Sequence, residues 1–151
     1  MNDRINQLIP IAIDAIRIKI ANGGSSIPKE YKGYINALGP SILQAGLIAT
    51  LAFCTDRKKS IENTDRNNVL NALLFMLPPK AEREMHLLKY VMTECLKQDG
   101  QSYEQREKLA TVDLDQKKLE AMEETILEMV IALKLALKTF KLADKTENSD
   151  Q

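Results

Sequence analysis

An uncharged stretch over residues 33–55 constrains the fold most strongly, because 28% of the residues in this chain are charged. Such a stretch is typical of a membrane span, a buried core helix, or a helix packed on one side against a partner. A membrane span needs about 20 predominantly apolar residues, whereas scattered polar side chains and Gly39-Pro40 interrupt this stretch. Proline suits a first helical turn, and a helix apolar on nearly all sides is a buried one. We therefore predict a central core helix that begins near Pro40 and ends near Cys54.

The composition predicts a single all-α domain, a helical bundle with a long C-terminal helix. A chain of 151 residues can bury a substantial core, and only 5% of these residues are aromatic. Strands are enriched in aromatic and β-branched residues, so this composition favours helices. We expect one helical domain over residues 1–145 and a disordered tail over residues 146–151. Asp3 and Arg4 precede an amphipathic run rather than the apolar core of a signal peptide, which favours a cytoplasmic protein.

Prolines and glycines divide the first part of the chain into predicted segments. Apolar residues spaced three and four apart predict a first helix whose regular part begins near Pro10 and which ends before Asn22. A loop is expected at Pro28. A short helix over residues 30–38 is expected to stop at Gly39-Pro40, because the residue before a proline avoids the helical conformation.

Besides a short helix that holds Tyr103 and Leu109 after a capping box of Ser102 and Gln105, three helices are predicted after residue 60. The first carries an apolar stripe formed by Val69, Leu70, Leu73, Leu74 and Leu77. The second covers about residues 81–97. The third is the longest and runs over residues 114–143, where no proline or glycine occurs, with Asp113 or Asp115 as its N-cap.

The chain contains few groups that could support catalysis or bind a metal. Its single histidine, His86, and its two separated cysteines, Cys54 and Cys95, cannot form a common zinc site. The cysteines lie in apolar helical contexts, which favours buried thiols over a disulfide. No glycine-rich phosphate loop or nucleophile motif occurs, and the carboxylates lie on charged helical surfaces. We expect no enzymatic activity, no cofactor, no metal and no small-molecule substrate.

Basic residues are concentrated near the end of the last predicted helix, although the 21 basic and 21 acidic residues of the chain cancel. On a helical wheel of about 100° per residue, Lys134, Lys138, Lys141 and Lys145 fall in one stripe. Cations late in a helix complement its macrodipole. A row of lysines can equally contact a nucleic-acid backbone without reading its sequence.

A second basic cluster, Arg57-Lys58-Lys59, follows the predicted core helix. It permits the same two interpretations, a cation cluster at a helix C-terminus or a corner that contacts phosphates. No aromatic stripe accompanies the basic residues in the sequence, so stacking of single-stranded bases is not predicted.

Two segments of the chain resemble the small helical subunit of the Cmr complexes, which are type III-B CRISPR RNA-guided effectors. The residues that match the family pattern in order are Tyr31, Pro40, Ile42, Gly46-Leu47, Leu51-Ala52-Phe53 and Lys58. Residues 137–143 resemble the family's C-terminal tryptophan-leucine-lysine-arginine-phenylalanine-alanine run without its tryptophan and arginine. Together the two segments cover about a quarter of the chain.

This resemblance implies a non-catalytic subunit of an antiviral complex. Its copies would stack head to tail, beside backbone subunits that hold the guide RNA, and would contact the target strand of the guide–target RNA duplex. No membrane partner is implied. The candidate nucleic-acid contacts are Arg57, Lys58, Lys59, Lys134, Lys138 and Lys141. Two alternatives remain open, a helical protein-interaction adaptor that binds no nucleic acid and the small subunit of a type III-A (Csm) complex.

Overall fold

The computed structural model describes residues 2–55, 66–77, 87–96 and 114–143. The elements are, in chain order, α1 (Asn2–Lys19), β1 (Ser26–Pro28), α2 (Glu30–Ala45), α3 (Leu47–Cys54), α4 (Arg66–Met76), α5 (Leu87–Glu94), α6 (Gln116–Ala136), a 3-10 helix (Leu137–Thr139) and β2 (Lys141–Ala143). The predicted all-α class is confirmed. Among the described helices, none is both long and apolar enough to span a membrane. The predicted tail over residues 146–151 lies outside the described ranges.

The hydrophobic core lies where α1 packs along α6 and α4. α2 packs on α6, and α3 contacts α2 and α5. At the N-terminal end of α1, the Arg4 guanidinium lies 3.1 Å from a carboxylate oxygen of the buried Glu128 on α6. A buried carboxylate needs such a partner to offset its lost hydration.

The apolar stripe predicted for the fourth helix is confirmed. All five of its residues on α4 and just beyond it are buried, namely Val69, Leu70, Leu73, Leu74 and Leu77. α6 begins directly after Asp115, one of its two predicted N-cap residues. Asp115 Oδ1 accepts hydrogen bonds from the backbone N–H groups of Lys117 and Lys118 at 2.9 and 3.2 Å. The spacing of apolar residues and the capping chemistry therefore identified these two helices correctly.

Two prolines lie inside helices, contrary to the predicted boundaries at Pro10 and Gly39-Pro40. α1 continues through Pro10 and α2 continues through Pro40. A proline removes the hydrogen bond to the carbonyl four residues earlier. Those carbonyls belong to Asn6 and Asn36, which are exposed, so water can satisfy them. Gly39 has no Cβ, which relieves the clash that a proline imposes on the preceding residue.

The uncharged stretch is divided at Gly46 rather than at Pro40. Gly46 has φ 93° and ψ 159°, a conformation that is essentially restricted to glycine. Its N–H donates to the Ile42 carbonyl at 2.9 Å and so closes the last turn of α2. The predicted single helix from Pro40 to Cys54 is therefore wrong, and the stretch forms parts of two helices.

A small parallel sheet replaces two other predicted features, the loop at Pro28 and the C-terminal end of the last helix. β1 pairs with β2 in the register Ser26 with Lys141, Ile27 with Leu142 and Pro28 with Ala143. The last helix therefore ends at Ala136 instead of continuing over residues 114–143. Pairing with a strand far away in the sequence stabilises an extended backbone. Local helix propensity does not include this effect.

The conformation of Gly46 predicts a measurable difference between two glycine substitutions. Gly46→Ala places a Cβ on a strained backbone and is expected to lower the free energy of unfolding by about 1–3 kcal/mol. Gly33 lies inside α2, and a Cβ added there would meet no atom within 4 Å apart from the backbone of its own helix. Gly33→Ala is therefore expected to raise the free energy of unfolding by about 0.5–1 kcal/mol. Denaturant titrations followed by circular dichroism measure both values. Equal effects of the two substitutions would contradict the assignment of the helix break to Gly46.

Candidate nucleic-acid interface

The three C-terminal candidate lysines lie on three successive elements rather than on one helix. Lys134 is half-buried in the last turn of α6, Lys138 is exposed on the 3-10 helix, and Lys141 is exposed on β2. The predicted helical stripe is therefore wrong beyond Ala136, because the wheel assumed a helix that continues. Lys134 still has the position in a last helical turn that complements the macrodipole.

The three lysines differ in their ion pairing from two arginines in the described part of the chain. Within the described ranges, Lys134, Lys138 and Lys141 make no ion pair, whereas Arg4 pairs with Glu128 and Arg17 with Asp14. Lys141 lies on β2, which pairs with β1, and Lys138 lies on the 3-10 helix that precedes β2. Exposed cations such as Lys138 and Lys141 are suited to contact phosphates.

Several other predicted residues lie outside the described ranges. They are the candidate contacts Arg57, Lys58 and Lys59, the last member of the lysine row, Lys145, and the single histidine, His86.

A groove of about 690 Å³ opens between α2, α3 and α4 and is lined mainly by small and apolar residues. We call it the α2–α4 groove, and it is lined by Glu30, Gly33, Tyr34, Ala37, Leu38, Ser41, Ala45, Ala49, Thr50, Phe53, Cys54, Arg66, Val69 and Leu70. Phe53 on its rim is 68% exposed, and Leu43 on another side of α2 is 71% exposed. The prediction that the uncharged stretch over residues 33–55 forms a helix buried on nearly all sides is therefore wrong.

An arginine and two aromatic rings meet at one side of the α2–α4 groove. Arg66 Cζ lies 4.5 Å from the centre of the Tyr34 ring and 5.5 Å from the centre of the Phe53 ring. Both distances are within the range of a cation–π interaction. The three residues come from three different helices, so no spacing in the sequence could have revealed the cluster.

Both cysteines are buried free thiols, as predicted. Burial raises the pKa of the Cys54 thiol, although the nearby Arg66 charge opposes the shift. Burial, with a smaller contribution from the negative charge of Glu94, raises the pKa of the Cys95 thiol to about 11. Both thiols are therefore neutral and unreactive near pH 7. In the described part of the chain, no cluster of histidine, cysteine and acidic side chains could hold a metal ion.

Residues 11–134 match the family model described as CRISPR-associated protein (Cas_Cmr5). The chain therefore belongs to this family, which confirms the resemblance to the Cmr small subunits. Membership implies that the protein is a CRISPR-associated Cmr subunit that works in an effector complex with other Cas subunits. No curated protein and no solved structure matches the chain.

The shifted pKa of Cys95 predicts a loss of stability at alkaline pH. The folded thiol keeps its proton up to about pH 11, whereas in the unfolded chain it loses the proton near its ordinary pKa of 9.0. The contribution of the protonated Cys95 thiol to the free energy of unfolding is complete below pH 9. It is lost as the pH rises to about 11, and the loss is on the order of 1–3 kcal/mol. The difference in unfolding free energy between wild type and Cys95→Ala should therefore narrow over this range. Chemical denaturation at several pH values measures it, and a constant difference would contradict the shift.

Proposed function

We propose that this chain is the non-catalytic small subunit of a type III-B Cmr effector complex and contacts the target RNA strand in antiviral defence. The observation that carries the proposal is the family match over residues 11–134. The absence of nucleophile and phosphate-loop motifs in the sequence supports a role in assembly and positioning, without enzymatic activity.

In this proposal, copies of the chain stack head to tail beside the backbone subunits of the complex. When each copy contacts the next through two different faces, the copies form an open array unless the rotation between neighbours closes a ring. Large exposed apolar side chains support contacts with neighbouring subunits, because such residues are unfavourable in water when they are grouped. They occur on α1 and α6, as Ile11, Ile18, Ile131 and Leu135.

RNA contact in this proposal is made through the phosphate backbone. Lys138 and Lys141 are exposed cations at one end of the bundle, and Lys134 precedes them in the chain. Together with Arg57, Lys58 and Lys59 they are the proposed contacts. Binding of this kind depends on salt and does not depend on sequence. Sequence recognition is left to pairing between guide and target.

Charge reversal tests the proposed RNA contact. The double substitution Lys138→Glu and Lys141→Glu is expected to weaken retention of target RNA by the assembled complex, because two cations that neutralise phosphates are lost. The slope of log affinity against log salt concentration should become shallower by about 1.4–1.8, the value for two phosphate contacts. Filter binding at several salt concentrations measures both quantities.

Lys117→Glu is the matched control, since Lys117 is an exposed lysine at the opposite end of α6. It should leave retention and the salt slope unchanged. Circular dichroism establishes that each variant is folded. Unchanged retention in the double variant would reject these lysines as RNA contacts. A purified complex that contains protein partners but no RNA would favour the adaptor alternative.

A further inference from the structure

The cluster of Tyr34, Arg66 and Phe53 has the geometry of a stacking platform. The Arg66 guanidinium carbon lies 4.5 Å from the centre of the Tyr34 ring and 5.5 Å from the centre of the Phe53 ring. The Phe53 ring at the outer side of the cluster is 68% exposed. Proteins bind unpaired nucleobases by stacking them on aromatic rings and on arginine planes of this kind.

The hydrophobic core holds this platform in place. Tyr31 is 1% exposed, and its hydroxyl accepts a hydrogen bond from Asn68 Nδ2 at 2.9 Å. The Tyr34 ring meets the Tyr31 ring edge to face, with ring centres 5.6 Å apart. A continuous series of contacts thus runs from the buried Tyr31 to the exposed Phe53. A ligand that stacks on Phe53 would meet an ordered surface, which reduces the entropic cost of binding.

The α2–α4 groove beside the platform contains polar atoms whose hydrogen-bonding capacity is unused. Glu30 Oε1 and Thr50 Oγ1 are buried and, among the described residues, have no hydrogen-bond partner. Thr50 as a whole is 4% exposed, and both residues line the groove. Buried polar atoms without partners are unfavourable. Binding of a ligand that donates N–H hydrogen bonds to these two oxygen atoms would therefore be favoured.

The chemistry of a nucleobase fits this groove better than that of an apolar side chain. A base has a flat apolar face for Phe53 and an edge with amino donors, and carboxylates accept from the cytosine amino group. An apolar side chain from a partner protein would leave Glu30 and Thr50 unsatisfied. Arg66 in the groove provides positive charge for the adjoining phosphates.

We propose that the α2–α4 groove binds an unstacked base of single-stranded RNA, with Phe53 and Arg66 as the stacking surface. This inference rests on the proposed function, in which the chain contacts RNA, and adds to the lysine contacts a site that recognises the base itself. Phe53 supplies the outer stacking face, while Tyr34 holds Arg66 in position.

Binding of two labelled ligands to the full chain at low ionic strength tests this site. One ligand is a short oligocytidylate, and the other is the same sugar–phosphate chain without bases. Phe53→Ala is expected to weaken binding of oligocytidylate by about 5- to 100-fold and to leave binding of the abasic chain unchanged. Phe53→Tyr keeps an aromatic face and should remain within about threefold of wild type. Fluorescence anisotropy measures the affinities.

Leu43→Ala is the matched control, because Leu43 is a similarly exposed apolar residue that does not line the groove. It should change neither affinity. If Phe53→Ala weakened both ligands equally or neither of them, the stacking site would be rejected and the phosphate contacts would stand. If the wild-type chain bound neither ligand, both the stacking site and the proposed RNA contact would be rejected. If Phe53→Ala released a protein subunit from the complex and left RNA affinity unchanged, the groove would be a protein-docking site instead.

Discussion

The packing of α1 against α6 is the constraint on which the rest of the fold depends. Both helices bury alanines that are 0% exposed, Ala12 and Ala15 on α1 and Ala132 and Ala136 on α6. Small side chains let two helices approach closely, and close packing makes the interface sensitive to any change of volume. This contact joins the first described helix to the last α-helix that the structure describes. It also brings the segment after α1 beside the segment after α6, where β1 and β2 pair.

The candidate interfaces follow from this arrangement. The β1–β2 pairing ends the last helix early and holds Lys141 on a strand instead of a helix. α2 packs on α6, and this contact orients the face of α2 that carries Tyr31 and Tyr34. The ring of Tyr34 then lies against Arg66 at the first residue of α4. A packed core thus supports two exposed features, cationic groups at one end and an aromatic platform beside the α2–α4 groove.

Local rules predicted some helices well and failed at others for physical reasons. The stripe from Val69 to Leu77 and the Asp115 cap depend on neighbours within a few residues, and both were predicted correctly. Pro10 and Pro40 did not end their helices, because the carbonyls that they leave without partners belong to exposed residues. The solvent-facing side of a helix becomes known only when its packing partners are known.

The sequence alone determined the all-α class, the buried stripe of α4, the buried thiols and the family, because these depend on composition, periodicity and local motifs. The tertiary structure decided where the uncharged stretch divides, where the last helix ends and which side chains form the aromatic platform. Each of these depends on contacts between residues far apart in the chain. The conformation of Gly46 is one of several open to a glycine, and the packing of α2 and α3 selects it. Phe53 and Arg66 could meet only after α3 and α4 had packed on α2.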